Sequence, residues 1–114
     1  MKMYVKVKTN FEGFHCWEDA PEKVEFLRHL HRHIFYVTVK LETFHDDREV
    51  EFFMLKNDLN DFIEKSKSNW PNTVSCEQMA TDICSHIKLI YPGRSISVEV
   101  SEDNENSAIV EETT

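Results

Sequence analysis

The stretch Arg32-His33-Ile34-Phe35-Tyr36-Val37-Thr38-Val39-Lys40-Leu41-Glu42-Thr43 decides the fold. Val37, Val39 and Leu41 fall on one side of an extended chain, and Thr38, Lys40 and Glu42 on the other. A two-residue period in a segment dense in β-branched and aromatic residues predicts a strand half-buried against a core. The same period runs upstream through Met3, Val5 and Val7, interleaved with Lys2, Lys6 and Lys8. That first strand is expected to continue to Phe14 and His15. Between the two, Asp19–Glu25 is polar and acidic around Pro21 and reads as a loop. His45-Asp46-Asp47-Arg48 reads as a turn.

Downstream the period lengthens. Phe52, Leu55, Leu59, Phe62 and Ile63 are spaced like one face of a helix. Ser66–Asn72 interrupts it, with Pro71 as a stop. Ser75-Cys76-Glu77-Gln78 then fits the capping-box pattern S-x-x-Q. It precedes Met79, Ala80, Ile83, Cys84, Ile87 and Ile90, a second amphipathic helix that ends at Tyr91-Pro92-Gly93. A third strand alternates through Ile96, Val98 and Val100, Asp103-Asn104-Glu105-Asn106 forms a hairpin turn, and Ala108–Glu111 is a short fourth strand. The expected order is β-β-α-α-β-β. It describes an α+β fold, a four-stranded antiparallel sheet with two helices on one face, as a single domain over Met1–Thr114.

Composition narrows the function. The chain has 114 residues, of which 40% are apolar and 30% charged, the balance of a globular protein. Thirteen Lys and Arg stand against 21 Asp and Glu, a formal charge of −8. Such a surface has little to offer a phosphate backbone or an anionic membrane, so neither nucleic acid nor membrane is expected as a partner. No apolar run approaches the roughly 18 residues of a transmembrane helix. The start, Met1-Lys2-Met3-Tyr4-Val5-Lys6, lacks the apolar core of a signal peptide, and a cytoplasmic protein is expected. Cys16, Cys76 and Cys84 are odd in number and lack C-x-x-C spacing, which argues against a disulfide framework and a cysteine-rich zinc knuckle.

The histidines are the one chemical concentration. His31 and His33 stand two apart in an extended segment, so both side chains project from the same face. Antiparallel pairing of the first two strands would bring His15 alongside. Three neutral histidines can hold zinc and leave its fourth position open, the arrangement of catalytic rather than structural zinc. Spacing alone leaves the alternative standing, a surface pair plus a strand-end histidine. His45 and His86 belong to no such group and are expected to be solvated.

Phe11-Glu12-Gly13-Phe14-His15 and Leu30-His31-Arg32-His33-Ile34-Phe35 resemble the F-x-A-x-H and L-H-G-H-x-[YF] motifs of the 6-pyruvoyltetrahydropterin synthase family. That family includes the bacterial 6-carboxytetrahydropterin synthases of the queuosine pathway. The resemblance continues through Val50-Glu51-Phe52 with Leu55-Lys56, Ser75-Cys76-Glu77-Gln78-Met79-Ala80 and Val98-Glu99-Val100-Ser101-Glu102. It covers roughly Lys2 to Val110. It implies the tunnelling fold, or T-fold, whose sheets close into barrels as trimers and stacked hexamers with the active site between subunits. Such closure would also remove the two open edges of an isolated sheet. It implies further that His15, His31 and His33 bind zinc, and that Glu102 holds the guanidine-like edge of a pterin through paired hydrogen bonds. Ser75, Cys76 and Glu77 would contact the pterin ring, although Ser75 is equally a helix cap. The implied activity is that of a lyase acting on dihydroneopterin triphosphate or a related reduced pterin.

The departures from the family pattern concern proton transfer. Leu27 stands where members carry a cysteine base, four residues before the first histidine of H-x-H. Arg28 stands where some carry a glutamate, and no histidine lies between Lys56 and Val74 to match the family's Asp-His pair. Arg32 replaces the glycine of H-G-H, which is expected to bring a large cation next to the metal pair. His29 would share the face of His31 if the chain is extended there, and could serve as base or fourth ligand. Cys16 would point away from His15 in a regular strand. The readings open at this point are a zinc-dependent tetrahydropterin synthase with weak or altered activity, a non-catalytic T-fold protein that keeps zinc and pterin binding, and an oligomer without metal.

Overall fold

Strand alternation and helix periodicity meet on one side of a sheet in the computed structural model, which describes every residue, Met1–Thr114. The elements are β1 (Met3–His15), β2 (His31–Thr43), α1 (Phe52–Lys67), α2 (Cys76–Ile90), β3 (Ile96–Glu102) and β4 (Asn106–Glu112). All strands pair antiparallel in the order β1-β2-β3-β4. The register sets Met3 opposite Thr43 and His15 opposite His31, so β1 and β2 pair over their full length. No helix is long and apolar enough to cross a membrane.

The apolar rows of the sheet and the helices fuse into one core. Val37, Val39 and Leu41 of β2 and Val98 and Val100 of β3 are fully buried, as their alternation requires. Leu55, Leu59 and Ile63 of α1 and Met79, Ala80, Ile83 and Ile87 of α2 close over them. Full burial of such a side chain contributes about 1.5–3 kcal/mol, so this layer dominates the stability of the sheet. Both helix starts are capped. Glu51 accepts from the N–H groups of Phe53 and Met54, and the Ser75–Gln78 capping box is complete, with Ser75 Oγ accepting from Gln78 N–H and Gln78 Oε1 accepting from Ser75 N–H.

The structure corrects several expectations. Asp19–Glu25 is not simply a loop, because 3-10 turns occupy Glu22–Arg28. Phe52 opens α1 but lies exposed. Ser66 and Lys67 extend α1, which is capped at Ser68. His86 is only partly solvated. It stacks on Phe62 with ring centroids 4.3 Å apart, and burial holds its pKa below the ordinary histidine value. His45 is exposed, as expected.

Gly13 sits opposite His33 and fits tightly there. A Cβ at this position would lie 2.8 Å from Cε2 of the buried Phe35 ring. Phe35 in turn packs edge-on against His15 and His33, at centroid distances of 5.2 and 5.7 Å. Glycine therefore leaves room for the ring that backs both histidines, at a position where the F-x-A-x-H motif carries alanine. Gly13→Ala should destabilise the fold by about 1–3 kcal/mol. Adding Phe35→Leu should return part of the loss as a favourable coupling in a double-mutant cycle of urea midpoints. A Gly13→Ala protein as stable as the parent would refute this packing argument.

Candidate metal centre

Each of the three histidines reaches the same point by a different strand position. His15 closes β1, His31 opens β2 directly opposite, and His33 follows two residues on, so all three project from the helix-covered face. Their rings stand nearly edge to face, with centroids 4.6 Å apart for His15–His31, 4.9 Å for His31–His33 and 5.3 Å for His15–His33. Glu102, the last residue of β3, lies on the same face and joins them. One donor atom from each of His15, His31, His33 and Glu102 lies within 4.8 Å of the others.

The outer hydrogen bonds fix which nitrogen of each ring faces this point. His15 Nδ1 lies 2.9 Å from the carbonyl of Val74, and His31 Nδ1 lies 2.8 Å from the carbonyl of His29. His33 Nδ1 lies 2.7 Å from Asp103 Oδ2. Carbonyl and carboxylate oxygens only accept, so every Nδ1 carries the proton that it donates. In the neutral form of each ring, Nε2 is then the lone pair that faces the common point. A hydrogen-bonded outer nitrogen is how metal-binding histidines are oriented. His31 Nε2 is buried and has no hydrogen-bond partner at all, an arrangement costly for a polar atom unless something electropositive meets it.

Asp103 does more than hold His33. Its Oδ1 accepts from Ile34 N–H at 2.9 Å, and its own N–H donates to the Ile34 carbonyl at 2.8 Å. These bonds hold its carboxyl below the usual aspartate range, with the His33 hydrogen bond the largest cause. Asp103 and Asn104 both adopt positive φ, 54° and 62°. Asp and Asn are the residues besides glycine that tolerate this region. The tight β3–β4 turn thus delivers Glu102 and Asp103 to the site together.

Beside the histidines lies an open cleft of about 770 Å³ lined by, among others, Cys16, Leu27, Ser75, Cys76, Glu77 and Glu102. Cys76 is a buried neutral thiol, its pKa pushed up to about 12 by burial first and then by Glu102 and Glu77. Leu27 faces the cleft with no titratable group. The remaining candidates fall differently from expectation. His29 is exposed and outside the four-donor group; it contributes only its carbonyl. Cys16 does not point away, because the sheet ends at His15 and the Cys16 N–H turns to the Asn72 carbonyl. Arg32 is not beside the histidines. It projects from the opposite face, where its Nε and Nη2 each lie 2.6 Å from Glu12 Oε2. Glu102, expected at a pterin edge, lines the cleft and also approaches the rings, with Oε2 2.8 Å from His15 Nε2 and 3.5 Å from His33 Nε2. Val74 and Asp103 were not singled out by sequence reasoning; a backbone carbonyl leaves no residue-type signal, and Asp103 reads as part of an acidic turn.

Sequence comparison finds no matching family model and no matching curated protein. Structural comparison does find similar folds. The fold is similar to the 6-pyruvoyl tetrahydropterin synthase of Plasmodium falciparum, with a TM-score of 0.70 and 17% identity over 99% of each chain. It is similar also to the Plasmodium vivax enzyme, at 0.65 and 15% over 100% of this chain and 99% of that one. For the Caenorhabditis elegans enzyme the values are 0.63 and 12%, over 99% and 97%. The chain therefore has the fold of the 6-pyruvoyl tetrahydropterin synthases, nearly end to end.

Proposed function

We propose that the protein is a zinc-dependent member of the tetrahydropterin synthase family that binds a reduced pterin, such as dihydroneopterin triphosphate, with weak turnover. The observation that carries the reading is the convergence of three imidazole Nε2 lone pairs, one of them orphaned and buried, at the edge of an open cleft. His15, His31 and His33 would hold the ion. Bound there, zinc would supply Lewis-acid polarisation of a substrate oxygen. Ser75, Cys76 and Glu77 border the space a pterin would fill, and the carboxylates of Glu77 and Glu102 are the cleft's acceptors for its N–H groups. About one zinc per chain is expected by elemental analysis. His31→Ala or His33→Ala should abolish it, while His29→Ala, which keeps its carbonyl, should leave it unchanged. A purified protein that takes up no metal would overturn the reading.

A second reading, binding without turnover, is favoured by Leu27. It borders the cleft at the position of the family's base, and neither Arg28 nor His29 lines that cleft. Arg28 Nε is committed to the Ala20 carbonyl at 2.8 Å. General-base catalysis is worth typically 10²–10⁴-fold, so triphosphate release should fall short of cysteine-bearing relatives by about that factor. Leu27→Cys should recover part of it. Release equal to that of such relatives would reject the missing-base argument. Pterin binding with no release, before or after Leu27→Cys, would select the second reading.

Both sheet edges, β1 and β4, lack a neighbour in the chain. Unpaired edges invite pairing with another copy, and the family resemblance supports a homo-oligomer, trimer or hexamer. Sedimentation should give a mass in multiples of three times 13.5 kDa; a monomer at micromolar concentration would contradict it.

A further inference from the structure

We infer that Glu102 is the fourth ligand of the metal and closes the coordination that the three histidines leave open. The inference rests on the reading that those histidines hold an ion, and it changes what the site can do.

The argument starts from donors and acceptors. With each Nδ1 turned outward, the inner face of the cluster presents three Nε2 atoms, which are lone pairs in the neutral rings that bind metals. Glu102 adds a carboxylate 2.8 Å from His15 Nε2 and 3.5 Å from His33 Nε2. A carboxylate and a neutral imidazole nitrogen at hydrogen-bond distance are two acceptors facing each other. No lysine or arginine lines the cleft, and Arg32 is engaged with Glu12 on the opposite face. A single proton shared by His15 and Glu102 would relieve one contact. It would leave His31 Nε2 buried without a partner. One divalent cation relieves all of them, and three imidazoles plus one carboxylate are a complete donor set for tetrahedral zinc.

Chain geometry favours the same assignment. Glu102 ends β3 opposite Phe35, beside the position of His33. The next residue, Asp103, binds His33 Nδ1 from outside. One tight turn thus supplies an inner ligand and an outer one in consecutive positions, and the Asp103 contacts with His33 and Ile34 fix the backbone from which Glu102 projects. With Glu102 on the metal, Glu77 remains as the cleft's free carboxylate. A substrate oxygen could reach the ion only by displacing Glu102.

Competition with a chromophoric chelator would give zinc affinities for the parent protein, Glu102→Gln and Glu77→Gln. Losing a partner outside the ligand shell costs about 10–100-fold in affinity, so Glu102→Gln should weaken zinc by about 100-fold or more, and Glu77→Gln should not. Cobalt(II) loading gives an independent readout. The visible spectrum of the parent should be unmoved by thiocyanate, which enters only an open position, while that of Glu102→Gln should shift. Equal zinc affinity in Glu102→Gln, or a thiocyanate shift in the parent, would overturn the inference while leaving the three-histidine site standing. Should Glu102→Gln fail to fold, the thiocyanate response of the parent decides alone. A parent protein that binds neither metal would remove both readings.

Discussion

The pairing of β1 with β2 is the constraint on which the rest depends. Its register puts His15 directly across from His31 and Gly13 across from His33. A slip of one residue would turn every side chain of one strand to the other face, burying Lys6 and Lys8 and scattering the histidines. The same buried row that resists this slip, Val7 and Phe11 against Phe35, Val37 and Val39, therefore also holds the three imidazoles within reach of one another. Stability and site geometry are one problem here. They are solved by the same hydrophobic alternation.

Phe35 shows how closely the two are joined. It is a core residue by burial, yet its ring edge lies against two of the candidate ligands. The space it occupies exists because Gly13 has no side chain. On the far side of the sheet, Arg32 and Glu12 cross-link β1 and β2 behind the site. The outer hydrogen bonds then come from three separate places: the segment before α2, the segment before β2, and the β3–β4 turn. Each histidine is supported from outside its own strand, so the site should form only when the sheet and the segment before α2 have packed.

Much of this was legible in the sequence because it follows from period. Two-residue alternation located three strands, the hairpin turn implied the fourth, which starts earlier than expected at Asn106, the S-x-x-Q pattern located the start of α2, and H-x-H on a strand put His31 and His33 on one face. Side-chain direction failed wherever the chain leaves regular structure. Cys16 could be judged only as a continuation of β1, but the sheet ends one residue earlier. A role for the His29 ring requires an extended chain leading into β2 with the ring on the face of His31. The backbone is extended at His29, but its ring is exposed and only its carbonyl serves the site. Arg32 was misplaced for the opposite reason, since the alternation that pairs His31 with His33 already sends the intervening residue to the other face. Val74 acts through a carbonyl, which no residue-type pattern can reveal.

On the proposed reading, two features of the site, Leu27 and Glu102, point in the same direction. Leu27 offers the cleft no acceptor of the kind that proton abstraction requires. A glutamate on the fourth position would remove the open coordination site that Lewis-acid chemistry requires. Either alone would slow turnover. Together they describe a centre suited to holding a metal rather than to presenting it to a substrate, while Glu77, Ser75 and Cys76 still border a cleft of ligand size. Restoring the base without freeing the metal would then address only half of the loss. Full catalytic rescue would require both changes in the same chain, each alone returning only part of the loss.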